Sequence, residues 1–232
     1  LQRKFLKLIC MSNILASLDW SPFFITLKIG IVSTVICFFI GVGLSYASLF
    51  FNKKFAAVFD SILTLPMVLP PTVVGFFLLM IFSRRRFVGN FLYTNYGIKV
   101  VQSFLGCVLA ASIISFPLMY KNAKSAFLQV DKNLIYAGRT LGLSEFKIFL
   151  KVVCPIASPS LFSGAILSFA RAIGEYGATS MLAGNISKKT ATISQQIAIL
   201  VQNQDYVRAG IWVAIVLLIA FGIMLLMEYI QR

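Results

Sequence analysis

The most organised polar stretch of the chain is 121–151, and its residue types suit docking rather than covalent chemistry. Asp131 is a good helix N-cap, followed by Leu134, Ile135 and the run Tyr136-Ala137-Gly138-Arg139-Thr140-Leu141. Gly142 stands where a left-handed helix stop would go. Ser144 is a second N-cap, opening SEFKIFLKVV, with Pro155 beyond it. The spacing predicts two short helices joined at a glycine, with Leu141, Leu143, Phe146 and Phe149 forming an apolar knob. A knob of that kind needs a partner to cover it. A plain helix–turn–helix connector would use the same residues.

Two further groups could act on a solute. Pro66, Pro70 and Pro71 fall in one apolar run, with Thr64 and Thr72 beside them. An interior proline costs a helix about 3 kcal/mol against alanine, so three predict a broken helix. Breaks are tolerated in a membrane where protein or water covers the freed carbonyls, often along a solute route. A packing kink without solute contact would also account for the prolines. Glu175 lies alone in Gly174-Glu175-Tyr176-Gly177, four residues after Arg171. That spacing puts Arg171 and Glu175 on one helical face. With Gly177 they would form a gate, or the pair would simply fix a helix end.

Covalent chemistry has no residues to work with. Histidine is absent, which removes His–Cys zinc sites, HExxH helices and Ser–His–Asp triads. Cys10, Cys37, Cys107 and Cys154 are far apart, form no CxxC pair, and read as small buried residues. No G-x-x-x-x-G-K-S/T loop occurs. The chain is expected to be no enzyme, with no metal and no cofactor, and any energy from ATP must come from a partner.

Composition sets the elements that position these residues. Of 232 residues, 59% are hydrophobic and 12% charged, with mean hydropathy +0.90. Soluble domains run near 45–50% and about 25%, so a soluble domain is excluded. Net charge is +14, which in a soluble protein would suggest nucleic acid. Here the cations sit in short loops between apolar runs, so they read as membrane anchors and no nucleic-acid partner is expected. A membrane helix needs about 20 apolar residues, and five charge-free runs meet or approach this: 29–51, 61–83, 100–120, 152–170 and 209–227. The first begins earlier, near Pro22, with Lys28 snorkelling to the interface.

The expected architecture is an all-α polytopic membrane protein of about five spans. Segment 172–206 is the one place for a sixth, although the Ile193, Ile197 and Leu200 spacing within 191–204 fits a surface-lying amphipathic helix better. Residues 1–21 form an N-terminal segment, of which 1–10 precede Met11 and read either as an upstream extension before the native start or as a rare start other than Met. Residues 22–230 form the membrane domain, with 121–151 as its loop.

Residues 136–155, YAGRTLGLSEFKIFLKVVCP, resemble the cytoplasmic loop of ABC importer permeases. That pattern is Glu-Ala-Ala, three residues, Gly, seven residues, an apolar pair and Pro. Gly142 matches its glycine, Ile148-Phe149 the apolar pair and Pro155 the proline, while Tyr136 and Gly138 replace the letters flanking Ala137. Four segments are similar to the permease subunit of molybdate importers, with sulfate/thiosulfate permeases as relatives. They are LDWSPFFITLKI (18–29), LPMVLPPTVVGFFLL (65–79), SFPLMYKNAKSAF (115–127) and FARAIGEYGATSMLAGNI (169–186).

The resemblance implies the ABC type I importer permease fold in the bacterial plasma (inner) membrane. It also implies a homodimer in the lipid bilayer, two cytoplasmic ATPase subunits and an extracytoplasmic molybdate-binding protein. The segment 121–151 would then be cytoplasmic and couple to the ATPase through Ala137, Gly138, Arg139, Leu141, Gly142, Leu143, Ser144, Phe146, Phe149 and Pro155. The pathway and gate would use Pro66, Pro70, Pro71, Thr72, Arg171, Glu175 and Gly177. Five spans then put the N-terminus outside and the C-terminus inside. This arrangement divides the 21 Lys and Arg nearly evenly between the two sides, so orientation rests on the loop. The basic residues Arg84–Arg86, Lys188 and Lys189 would either draw an anion to the outer face or anchor it. Sulfate, thiosulfate and tungstate are the competing cargoes. A stand-alone secondary transporter would need acidic groups within its spans, and the five runs contain none. A membrane scaffold would be indifferent to ATP.

Overall fold

In a computed structural model describing residues 18–231, the chain is a sequence of helices, with no strand among the described residues. Residues 1–10, with Cys10, and Arg232 lie outside them. Helix α1 (Ser21–Ser48) carries Pro22 in its first turn, where its missing N–H is no loss. Before it, the Asp19 carboxylate accepts from the backbone N–H and the hydroxyl of Ser21, both at 2.9 Å, and these bonds hold its pKa below the usual range.

Helices α2 (Lys53–Val68) and α3 (Pro71–Phe82) meet at a bend of 110°. A residue preceding proline is pushed into extended backbone. Leu69 (ψ 142°) and Pro70 (ψ 134°) both obey this and stop the helix. Pro66 behaves differently and sits inside α2, so two of the three expected breakers make the break. Helix α2 also begins ahead of the charge-free run and includes Asp60.

After α4 (Phe87–Tyr96), helix α5 (Phe104–Leu128) forms the centre of the bundle. Ala110, Ala111, Met119, Tyr120 and Ala123 on it have no exposed surface. Then come α6 (Lys132–Thr140), α7 (Glu145–Ile148), a π turn (Phe149–Val153) and α8 (Cys154–Ile173). The second loop helix is therefore continuous with the fourth span. The Cys154 N–H donates to the Phe149 carbonyl, a wide turn placed just before Pro155. Pro159 leaves the Pro155 carbonyl without its helical donor, and the Ser158 hydroxyl donates to that carbonyl at 2.8 Å.

Helices α9 (Gly177–Ala183), α10 (Ile193–Gln202) and α11 (Tyr206–Gln231) complete the chain. Among the described residues, four helices are long and apolar enough to cross a membrane, or five if the bent α2–α3 pair is one span. Segment 172–206 adds none. The surface-lying placement of 191–204 is not what the bundle shows. Ile193, Gln195 and Leu200 are buried, and the first and last pack with Leu18, Ala209 and Trp212. Thr192 and Gln195 form a reciprocal capping box, and the Gln195 amide donates to the Gly184 carbonyl at 3.1 Å. The polar face thus finds partners in the protein itself.

The helix ends sort into two poles. At one, Gln102 N–H donates to the Leu182 carbonyl (3.1 Å), Ile193 N–H to the Thr26 hydroxyl (2.9 Å), and the Trp20 and Trp212 rings meet at 5.9 Å. This pole joins the starts of α1, α5 and α11 to the end of α9 and to α10. The other pole joins the ends of α1 and α5 to the first half of α2 and to α6 and α7.

Candidate functional site

At the second pole, local rules build an elbow. The Asp131 carboxylate accepts from the Asn133 N–H at 2.9 Å and starts α6. Gly142 has φ +73°, a backbone region in which side chains other than those of Gly and Asn are strained. Its N–H donates to the Arg139 carbonyl (2.9 Å) and the Leu143 N–H to the Gly138 carbonyl (3.1 Å), so the end of α6 is closed. The Ser144 hydroxyl then accepts from the Lys147 N–H at 3.4 Å and starts α7. Arg139 clamps both Glu145 oxygens at 2.7 and 3.2 Å, tying α6 to α7. The neighbouring carboxylate raises the Arg139 pKa.

The elbow rests on the bundle through Ile148, which has no exposed surface. A Cβ at position 138 would come within 3.1 Å of Ile148, so glycine suits the tight crossing. Phe149 meets Tyr46 at 4.3 Å and Phe127 at 5.9 Å between ring centroids. Leu143 and Phe149 thus turn inward, and the expected four-residue knob is corrected to two residues. Leu141 and Phe146 are 79% and 70% exposed. Leu143 lies in the turn between the two helices, where helical spacing does not apply, and it packs with Phe149 against the buried cluster around Met119 and Phe127. Ala137 is exposed on α6, and Pro155 is exposed in the first turn of α8.

The second cluster brings Pro71, Thr72, Arg171, Glu175 and Gly177 together. One Glu175 oxygen accepts from Arg171 at 3.0 Å and the other from the Ala178 N–H at 2.7 Å. The Glu175 side chain is 1% exposed. It therefore joins the end of α8 to the start of α9. A Cβ at Gly177 would lie 3.1 Å from the Pro71 side chain and 3.2 Å from the Thr72 N–H nitrogen, and one at Gly75 only 2.7 Å from the Ala178 Cα. The α3 limb of the broken span is seated on α9 by this close approach. Pro66 lies apart, in an apolar cleft with Cys37, Ile62 and Phe116.

Three residues at the second pole were not anticipated. Lys124 of α5 reaches both Asp60 oxygens, at 2.6 and 2.7 Å, and the Tyr120 hydroxyl donates to one of them. A cleft holding Thr64 and Lys121 opens beside the pair. The available signal was Asp60 itself, the sole acidic residue between Asp19 and Asp131. Ser112 is a further surprise: its buried hydroxyl lacks a hydrogen-bond partner among the described residues, and Ser112 lines the Pro66 cleft. Among the described residues, no three His, Cys, Asp or Glu side chains gather as metal ligands.

A family model described as the binding-protein-dependent transport system inner membrane component matches residues 38–232. The permease protein YvgM of Bacillus subtilis (strain 168) is 36% identical over 225 residues, covering 95% of this chain and 96% of its own. The molybdenum transport system permease protein ModB of Escherichia coli (strain K12) is 38% identical over 192 residues, covering 82% and 83%. Among solved structures, an inward-facing MetNI methionine ABC transporter chain matches with TM-score 0.65 at 18% identity, covering 91% of this chain and 95% of that one.

Proposed function

The chain belongs to the family of binding-protein-dependent transport system inner membrane components, and from that premise we propose that it is the membrane-spanning subunit of a molybdate importer. The observation that carries the cargo is the 38% identity to a molybdenum transport permease over 82% of the chain. In this reading two copies enclose one pathway in the bacterial plasma membrane. Two ATPase subunits sit at the pole of the α6–α7 elbow, and an extracytoplasmic binding protein delivers the anion to the other. The N-terminus then lies outside and the C-terminus in the cytoplasm. ATP hydrolysis belongs to the partner, since this chain carries no phosphate-cradling loop.

The elbow geometry supports a mechanical role. Gly142 fixes the angle between α6 and α7, the Arg139–Glu145 clamp stiffens it, and Ile148 and Phe149 key it into the bundle. ATPase closure moves the elbow as a body, the bundle tilts with it, and the pathway opens outward; hydrolysis reverses this. The broken α2–α3 span, with Pro70, Pro71 and Thr72, lines the route, and Arg171, Glu175 and Gly177 brace its α3 limb. Selectivity then rests largely with the binding protein, because a route that held the anion tightly would not release it.

Uptake of labelled molybdate by cells expressing the chain with its ATPase and binding protein tests this. Uptake that requires all three and persists under excess sulfate is expected. Sulfate uptake unaffected by molybdate would reassign the cargo, and uptake without any ATPase would overturn the importer reading.

A further inference from the structure

The exposed side of the elbow carries an excess of positive charge. Leu141 and Phe146 are its most exposed apolar residues, and Tyr136 is half exposed on α6. Segment 131–151 has two carboxylates, and both are engaged: Asp131 caps α6, and Glu145 is clamped through both oxygens by Arg139. Its three lysines, Lys132, Lys147 and Lys151, are exposed and form no ion pair among the described residues. A cleft of about 280 Å³ beside Tyr136 has Leu49 and Phe127 in its lining, with Lys132 and the Arg139–Glu145 pair beside them.

We propose that the surface covering this elbow is an apolar groove rimmed by Asp and Glu side chains. The elbow supplies the cations together with Leu141, Phe146 and Tyr136, and the partner supplies the carboxylates. This rests on the reading of the elbow as the ATPase-docking element and names the chemistry of that ATPase's groove. Position 136 decides between two kinds of partner. The loop pattern that the segment resembles has a carboxylate there, which calls for a cation on the partner. Here a phenol ring stands at that position, with the Arg139 guanidinium carbon 5.8 Å from its centroid. With no free carboxylate to receive it, a partner cation would meet only lysines, and like charges brought together are costly.

The test is co-purification of the solubilised permease with its own ATPase over a series of salt concentrations. Insertion of every variant is checked by its yield in the membrane fraction. Wild-type retention should fall as salt rises, because screening weakens opposite charges. Tyr136→Glu should weaken retention roughly ten-fold, and the Lys132→Glu/Lys147→Glu pair should weaken it further. Equal or tighter retention by Tyr136→Glu, or no loss in the double lysine variant, would overturn the acid-rimmed groove while leaving ATPase docking intact. A wild-type permease that retains no ATPase at any salt concentration would overturn the docking reading and this inference together.

Discussion

Replacing Gly142 by valine perturbs the backbone and little else. A Cβ built at this position meets nothing within 4 Å, whereas φ is +73°. The cost is therefore conformational: about 1–2 kcal/mol for an L residue in the left-handed region, at the upper end for a β-branched side chain. The elbow can escape the strain by giving up the two bonds that close α6, from Leu143 to Gly138 and from Gly142 to Arg139, each worth about 1 kcal/mol. Either route costs about 2 kcal/mol, which raises local opening roughly 30-fold at 1.4 kcal/mol per decade. The bundle contacts of Ile148 and Phe149 are untouched, so insertion persists. Asparagine tolerates the left-handed region and should behave nearly as glycine, with alanine in between. Amide hydrogen exchange over 138–148, with uptake and ATP hydrolysis in the assembled transporter, gives the readout. Exchange and uncoupling should rise in the order Asn, Ala, Val while hydrolysis continues. Wild-type coupling in Gly142→Val, or equal damage from Gly142→Asn, would refute the reasoning.

Asp60→Asn and Lys124→Met should each lower the melting temperature, through a loss of stability between the ~0.5 kcal/mol of an exposed pair and the ~3 kcal/mol of a buried one. The Asp60→Asn/Lys124→Met double variant should lose less than the two single losses combined, and strict additivity would show that the pair does not couple α2 to α5. Glu175→Ala leaves the buried Ala178 N–H without its acceptor and should cost about 2–3 kcal/mol in detergent unfolding. Glu175→Gln can still accept that N–H and should cost less. Gly75→Val drives a side chain into the Ala178 backbone and should cost about 1–3 kcal/mol; an unchanged melting temperature with full uptake would mean that α3 is not seated on α9.

What could be read from residue order is what is local. Asp131, Gly142 and Ser144 act on backbone groups within a few residues, so their roles as caps and stop were visible before the fold. The same holds for the break at Leu69 and Pro70, which follows from each residue's proline neighbour. The inward turn of Leu143 and Phe149 was hidden because Leu143 lies in a turn, where helical spacing does not apply, and because the residues that cover them, among them Tyr46 and Phe127, are distant in sequence. Asp60 and Lys124 meet across 64 residues, a distance over which charge patterning carries no signal. The α10 segment shows a different limit. An amphipathic pattern states that one face is buried, not whether lipid or protein buries it, and the buried Gln195 with its protein partners decides for protein.

The contacts also locate where the bundle can yield. The elbow is keyed through Ile148 and Phe149 to Tyr46 of α1 and Phe127 of α5, and three residues before Phe127 on α5 Lys124 holds Asp60 of α2. Displacement of the elbow therefore carries the end of α5 and the α2 limb with it. The α3 limb is held toward the other pole, on α9 at Gly75, Ala178 and Gly177 and on the first half of α5 through Val74 and Leu78 against Ala110 and Ile114, and α9 is tied to α8 by Glu175. Between the two limbs, Pro70 and Pro71 have no N–H to donate, and helical bonding resumes only where Val73 donates to the Pro70 carbonyl at 2.9 Å. Rotation about Leu69 and Pro70 breaks no backbone hydrogen bond within either limb beyond the one that ends α2. The broken span is thus the compliant joint between two stiff blocks, and a motion imposed at the elbow is expected to be absorbed there as a change in the 110° bend. Distances between spin labels on α2 and α3, measured with and without ATP in the assembled transporter, should change, while distances from α2 to α5 stay fixed. A constant α2–α3 distance through the cycle would move the hinge out of the broken span.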